Sequence, residues 1–267
     1  MSRMRPLAEF PRAARAAIRF VLTDIDDTLT EHGRLPAESY AAMQRLQKAG
    51  LKVIPVTGRP AGWCDLIARQ WPVDGVVGEN GALYFRYLDS EKRMLRRYAK
   101  DAAARAADRL KLDRIRDEVL AKVPGAAVAS DQAYREADLA IDFCEDVPRL
   151  SHEAIERIVA FFNQHGATAK VSSIHVNGWF GHYDKLTMTR HFFAEALSTD
   201  MELAKNGIVF AGDSPNDAPM FGHFRNSVGV ANVLDFVADL AHKPGYVTKA
   251  RSAHGFVELT EALLSAR

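Results

Sequence analysis

The chain has 267 residues, 48% of them apolar and 26% charged, enough for one large or two moderate soluble domains with a sizeable core. Its 35 Lys and Arg nearly balance 34 Asp and Glu, so no global charge points to nucleic acid or to a membrane, and any electrostatic function has to be local. Two cysteines without CxxC spacing, Cys64 and Cys144, argue against a disulfide framework or a structural zinc site and fit a reducing cytoplasm; no run approaches the ~18 apolar residues of a membrane span.

The first twenty residues, "MSRMRPLAEFPRAARAAIRF", are Arg-rich and lack the apolar run of a secretory signal, while Glu9, Pro6 and Pro11 argue against a transit peptide. A frayed or surface-docked arm is expected there. "IRFVLTDID" reads as a short buried strand, and "PAESYAAMQRLQKAG" as a helix with Pro36 near its start and Gly50 as its stop. "LKVIPVTGRP" is a second buried strand ending in Thr57-Gly58. "GWCDLIARQWP" is a helix closed by Pro72, and "DGVVGENGALYF" contains a third strand. Strand and helix alternating in this way predict a parallel sheet covered on both faces.

From about Tyr87 the rhythm changes. "SEKRMLRRYAKDAAARAADRLKLDRIRDEVLAKVPG" is expected to be a long charged helical region ending at Pro124-Gly125. Its acids are interleaved with its bases and its aromatics are few, which favours a solvated helix face over a nucleic-acid face. "AAVASDQAYREADLAIDF" then reads as strands, "SHEAIERIVAFFNQHG" as a helix, and "ATAKVSSIHVNGWFG" as strand with a turn at Asn177-Gly178. After Lys185 the first rhythm returns: a helix "KLTMTRHFFAEAL", a strand "GIVFAGDSPND" ending in acids, a short strand "NSVGVAN" and a terminal helix. The expected fold is therefore α/β, a Rossmann-like doubly wound parallel sheet core built discontinuously from residues 1–85 and 183–267, with an inserted α+β cap domain over 86–182.

Ligands in such a sheet sit beyond the carboxyl ends of the strands. The first strand delivers Asp24 and Asp26, at alternate positions and so on one side of its tip. The second delivers Thr57 and Gly58. A late strand delivers Asp213, with Asn216 and Asp217 in the following turn, and Lys185 opens the helix before that strand. Singly these are N-cap and turn chemistry or a surface lysine. Together, several carboxylates at one sheet edge repel one another unless a cation sits among them. Mg²⁺ suits such hard oxygens, binding through one or two carboxylates plus a substrate phosphate. A lysine and a threonine hydroxyl aimed at the same place would hold a phosphoryl group, and a carboxylate can itself be the nucleophile.

In order and spacing, "DIDDT", "VTGR", Lys185 and "GDSPND" resemble the four motifs of the haloacid dehalogenase-like superfamily, with a long insert between the second and third. "GENGA", Gly78 to Ala82, resembles the turn before the large cap in the Cof-type and sucrose- or trehalose-phosphate phosphatase branch. The resemblance implies that Asp24 takes the phosphoryl group while Asp26 protonates the leaving oxygen and later activates water. It implies Mg²⁺ held by Asp24, the Asp26 carbonyl and Asp213 with Asp217 in support, phosphate bound by Thr57, Gly58 and Lys185, and Asn216 orienting the acids. Asp27 stands where many relatives have Gly and receives no role.

The implied reaction is hydrolysis of a small phosphorylated metabolite, a sugar phosphate first among them, in the cytoplasm, with no nucleic-acid or membrane partner. The insert would close as a lid. Its return segment, "SSIHVNGWFGHYDK", presents His175, Asn177, Trp179 and His182, residue types that stack on or hydrogen-bond to a sugar, or that simply pack a hinge. A phosphomutase of the same superfamily would need a cap that excludes water. A non-catalytic phosphate-binding regulator would need a stable phospho-form without turnover.

Overall fold

The structure is a computed structural model that describes residues 4–267. Six parallel strands form the central sheet, in the order Arg5–Pro6, Tyr246–Val247, Ser227–Gly229, Ile208–Gly212, Phe20–Thr23 and Lys52–Pro55. The central strands are apolar at successive positions because both faces are covered, as parallel sheets require. Val21, Val53, Val209 and Ala211 point to one side, where the helices Ala37–Lys48, Ala61–Gln70 and Ser252–Leu264 bury Met43, Ile67 and Phe256. Leu22, Ile54, Ile208 and Phe210 point to the other, against Met188, Phe192, Phe193 and Met220. The fold is the doubly wound α/β architecture expected.

The N-terminal arm is docked over its described residues; residues 1–3 lie outside them. Arg5–Pro6 adds an edge strand beside Tyr246–Val247, a position that tolerates proline's missing N–H. Leu7 and Phe10 are buried, Phe10 stacking on Tyr246 with ring centroids 4.5 Å apart.

Three local expectations are corrected. The single strand expected in "DGVVGENGALYF" is two antiparallel ones, Val76–Gly78 and Leu83–Leu88, joined by a turn in which Glu79 and Asn80 both have positive φ. The stretch expected to begin the long helix is a strand, Arg93–Tyr98, paired antiparallel with Leu83–Leu88; the helix starts only at Ala102, capped by Asp101. A hairpin lets Met94 and Tyr98 reach the main core while Arg93, Arg96 and Arg97 stay in solvent, so tertiary packing overrides a composition that favours helix. Finally, Asn177-Gly178 is not a turn but the middle of the strand His175–Trp179, the chain reversing instead at 172–174 after Thr168–Val171. Gly178 is needed there because a Cβ would collide with the ring of Phe162 on the helix His152–Gln164.

The insert's own sheet has four antiparallel strands, in the order Ala127–Val128, Leu139–Asp142, His175–Trp179 and Thr168–Val171. Its core is a separate apolar cluster around Leu112, Ile141, Phe162 and Val176, supplied in part by the helices Ala102–Lys122 and His152–Gln164.

Candidate active site

Strand register brings the first acids together. Thr23 pairs with Ala211, so the next residues outward are Asp24 and, one step past Gly212, Asp213. The Asp24 amide donates to the Ala211 carbonyl at 2.8 Å, fixing the backbone from which its carboxylate projects. Asp217 returns on the turn after Asp213, its Oδ2 accepting from the Asp213 amide at 3.0 Å. Gly212 leaves room for that carboxylate, which a Cβ would strike. Carboxylate oxygens of Asp24, Asp213 and Asp217 lie within 4.8 Å of one another, all buried.

Lys185 closes the group from the other side. Asp184 caps its helix, accepting from the Thr187 amide at 2.7 Å. The Lys185 Nζ then stands 2.8 Å from Asp217 Oδ1 and 3.1 Å from Asp24 Oδ1. One lysine thus serves a cluster of three buried carboxylates. Burial pushes the Asp24 carboxyl up to about 8, Asp217 and Asp26 reinforcing it and Lys185 opposing it. Burial and the nearby Asp217 and Asp24 hold Asp213 well above the usual carboxylate range. Burial works against the Lys185 ammonium, but Asp217 and Asp24 outweigh it and keep the charge in place.

This donor set fits a small hard cation. Asp213 and Asp24 offer hard oxygens, and their mutual repulsion calls for positive charge beyond that of Lys185. Asp217 is different, since Lys185 takes one of its oxygens and the amides of Asp213 and Ser214 take the other. Thr28 Oγ1 donates to Asp213 Oδ1 at 3.3 Å and Asn232 Nδ2 to Oδ2 at 3.1 Å; Thr28 closes the DIDDT motif but was given no role, and Asn232 lies outside the four motifs.

Thr57, fully buried, follows the neighbouring strand, and its Oγ1 accepts from the Arg59 amide at 3.0 Å. Gly58 sits against the side chain of Asn80, which a Cβ would crowd. Asn80 Oδ1 in turn accepts from Asn216 Nδ2 at 3.3 Å, tying the loops after two strands together. Asp26 turns toward Arg59, whose Nε lies 2.9 and 3.1 Å from its two oxygens. Asp27 has φ +51°, and burial raises its carboxyl, with Ser173 of the insert acting against that rise.

Several polar groups bind the insert to this edge. Arg59 NH2 meets Glu145 Oε1 at 2.6 Å and NH1 meets Asp131 Oδ2 at 3.2 Å. Burial pushes Glu145 up, but His175 and Arg59 outweigh it and bring it to about 2. Arg135, buried, donates to the Gly58 carbonyl at 2.9 Å and pairs with Asp131 and Asp138. Glu79 accepts from the amide of Ala61 on one side and those of Glu136, Ala137 and Asp138 on the other. Arg59, Glu79 and Asn80 belong to the motifs quoted above, yet sequence reasoning gave them no role. Their signal was a charged or amide side chain within or next to a glycine-bearing turn. Asp131, Arg135, Asp138 and Glu145 carried none.

Of the return segment's residues, His175 and Asn177 line a small cavity of about 10 Å³ together with Asp24, Asp26, Arg59 and Asn216. Asn177 Nδ2 donates to Asp138 Oδ2 at 3.1 Å, and His175 Nε2 lies 2.9 Å from Glu145 Oε2. Trp179 is buried and stacked on Tyr183, ring centroids 5.7 Å apart, and His182 is exposed; neither lines the cavity. A much larger cleft of about 920 Å³ opens between the insert's helix His152–Gln164 and the core around Pro215. The acids do not line it, but Ser172 borders both spaces.

Fold and site together define a doubly wound α/β protein with an acidic cluster and a buried lysine at the carboxyl edge of its sheet. Residues 21–134 match the model of the haloacid dehalogenase-like hydrolases. Solved structures carry the likeness of fold over nearly the whole length. A Thermoplasma acidophilum protein is 17% identical, with 92% of this chain and 98% of that one covered and a TM-score of 0.68. The sucrose-phosphatase of Synechocystis, solved with sucrose and phosphate, is 16% identical over 91% of this chain and 97% of that one, with a TM-score of 0.62. The C-terminal domain of the C. albicans trehalose-6-phosphate phosphatase is 12% identical over 99% of this chain and 100% of that one, with a TM-score of 0.68. At such identities the likeness speaks to the fold alone. No curated protein sequence matches the chain. No helix among the described residues is long and apolar enough to cross a membrane.

Proposed function

We propose that the protein is a Mg²⁺-dependent phosphatase of small phosphomonoesters, a sugar phosphate first among them, working through an aspartyl-phosphate on Asp24. The observation that carries the reading is the Lys185 ammonium shared between Asp24 and Asp217 beside Asp213, all of them buried. A lone structural ion pair would not need two further buried carboxylates, whereas a site for a cation and a phosphoryl group does.

Asp24 and Asp213, with the Asp26 carbonyl, would hold the Mg²⁺. When bound, the metal offsets the charge of Asp24 and of the phosphoryl oxygens. Lys185 and Thr57 bind those oxygens, and Gly58 leaves its backbone open to them. An Asp24 oxygen attacks phosphorus as the bond to the leaving oxygen breaks, and Asp26 supplies that oxygen's proton. Asp26 then takes a proton from water, whose oxygen attacks phosphorus and releases Asp24. Asp217, with both oxygens engaged, positions Lys185.

The insert acts as the lid. Because Phe85, Met94 and Tyr98 pack on the main core, we place its start near residue 100 in this reading. His175 and Asn177 on its sheet would meet the leaving group. Likeness of fold to the sucrose- and trehalose-phosphate phosphatases supports a sugar there. The two free cysteines support action in the cytoplasm.

The test is phosphate release from a sugar-phosphate panel with Mg²⁺, with EDTA, and with Asp24→Asn. Full turnover in Asp24→Asn would end the mechanism, and an isomeric sugar phosphate in place of free phosphate would make the enzyme a mutase.

A further inference from the structure

Arg59 bridges the proposed proton donor and two carboxylates of the insert. Its guanidinium is nearly inaccessible, 3% exposed, and presents its Nε and NH2 edge to Asp26, NH2 lying 2.7 Å from Oδ1. NH1 and NH2 also reach Asp131 and Glu145 across the gap between core and insert. Trp63 backs the planar group, its ring centroid 4.5 Å from the central carbon. Nε donates to both Asp26 oxygens while NH2, beside Oδ1, donates to Glu145, and a planar guanidinium held in this way fixes the carboxylate's direction as well as its charge. A lysine could not do so.

The grip has a mechanical consequence. Asp26 belongs to the core and Glu145 to the insert, so the fork keeps its full set of partners only while the two are shut together. When the insert lifts, Glu145 and Asp131 leave, and the guanidinium regains water and rotational freedom. We propose that Arg59 is a positioning residue that couples lid closure to proton transfer: with Glu145 in place it holds the Asp26 carboxyl in one orientation, and with Glu145 withdrawn it does not. The inference rests on the phosphatase reading above.

Leaving-group dependence isolates this role. An alkyl phosphate such as glycerol 2-phosphate releases a strongly basic alkoxide and needs the proton from Asp26. The phenolate of 4-nitrophenyl phosphate departs without one. In Glu145→Gln and in Arg59→Lys, kcat/KM for the alkyl ester should fall about tenfold or more while that for the aryl ester changes less than about twofold. A purely structural role would lower both together. Hydrogen exchange gives a second reading. Arg59→Lys, a change in the core, should speed exchange of the Cys144, Glu145 and Asp146 amides, which donate to Asp142 within the insert. Equal losses on both esters, no loss on either, or unchanged exchange overturns the coupling. Wild-type protein silent on both esters and on the sugar-phosphate panel would sink the phosphatase reading and leave the exchange alone to decide whether Arg59 couples core and insert.

Discussion

The Lys185 ammonium and the Asp217 carboxylate meet at 2.8 Å with both side chains buried, and Asp24 completes the contact at 3.1 Å. Removing the cation leaves buried charge without a partner, a change that costs roughly 3–5 kcal/mol. Lys185→Met should therefore lower thermal stability by several degrees and turnover by about a hundredfold or more. Melting and phosphate release on the same purified sample check both. A variant with wild-type turnover would remove Lys185 from the phosphoryl site.

Divalent metal should stabilise the protein, and more so as pH rises. Asp24, pushed up to about 8 by burial, has to lose its proton before its oxygen can serve a cation. Mg²⁺ at about a hundred times its Kd adds roughly 2.7 kcal/mol. Melting with and without Mg²⁺ should show a larger shift above about pH 8 than below it. In Asp213→Asn the shift should disappear. A shift that persists in that variant would place the metal elsewhere.

The acids of this site were legible in the chain because each follows a strand, and strand ends in a parallel sheet converge. Asp24 and Asp213 needed only the inference that their strands are neighbours. Asp26 was harder to read: its backbone position was clear, but its partner Arg59 comes from a different strand's loop, and side-chain pairing across loops leaves no periodic trace. The same limit hid Glu79 and Arg135, whose partners lie 57 and 77 positions away. Local chemistry also misled where packing overruled it. Asn177-Gly178 has the composition of a turn, yet the Phe162 ring requires glycine in a straight strand.

Glu79 should make stability depend on pH between about 4.5 and 7. Burial raises its carboxyl to about 7, helped by Asp138 and opposed by Arg135 and the backbone amides it accepts from. Over that window the folded protein keeps a proton that the unfolded chain has already released, so stability falls as pH rises. Below about 4.5 both states are protonated and this contribution is fully present; above about 7 it is lost. Other buried acids titrate too, so the informative quantity is the difference in Tm between Glu79→Gln and wild type. That difference should move in favour of the variant as pH increases through the window. A constant difference would show that Glu79 is ionised throughout, held so by its four amide donors.

Gly81 ties the turn after the strand Val76–Gly78 to the placement of Lys185. Its φ is +101°, and a Cβ there would overlap the Asp184 carbonyl and come within 2.9 Å of the Lys185 amide. Those atoms are backbone and cannot swing aside, so Gly81→Ala has to displace the start of the helix that aims Lys185 at Asp24. Gly33 offers a control, because it also has positive φ, +71°, yet nothing lies within 4 Å of its Cβ position. Gly33→Ala should carry only the conformational cost, about 1 kcal/mol, and leave phosphatase activity near wild type. Gly81→Ala should cost more than that and lower kcat at least about tenfold in whatever protein remains folded, since a misplacement of about 1 Å in a charge-stabilising group is felt directly in rate. Melting and steady-state kinetics on the pair provide the comparison. Equal behaviour of the two variants would mean that the 184–185 backbone yields freely and that Gly81 does not set the position of Lys185.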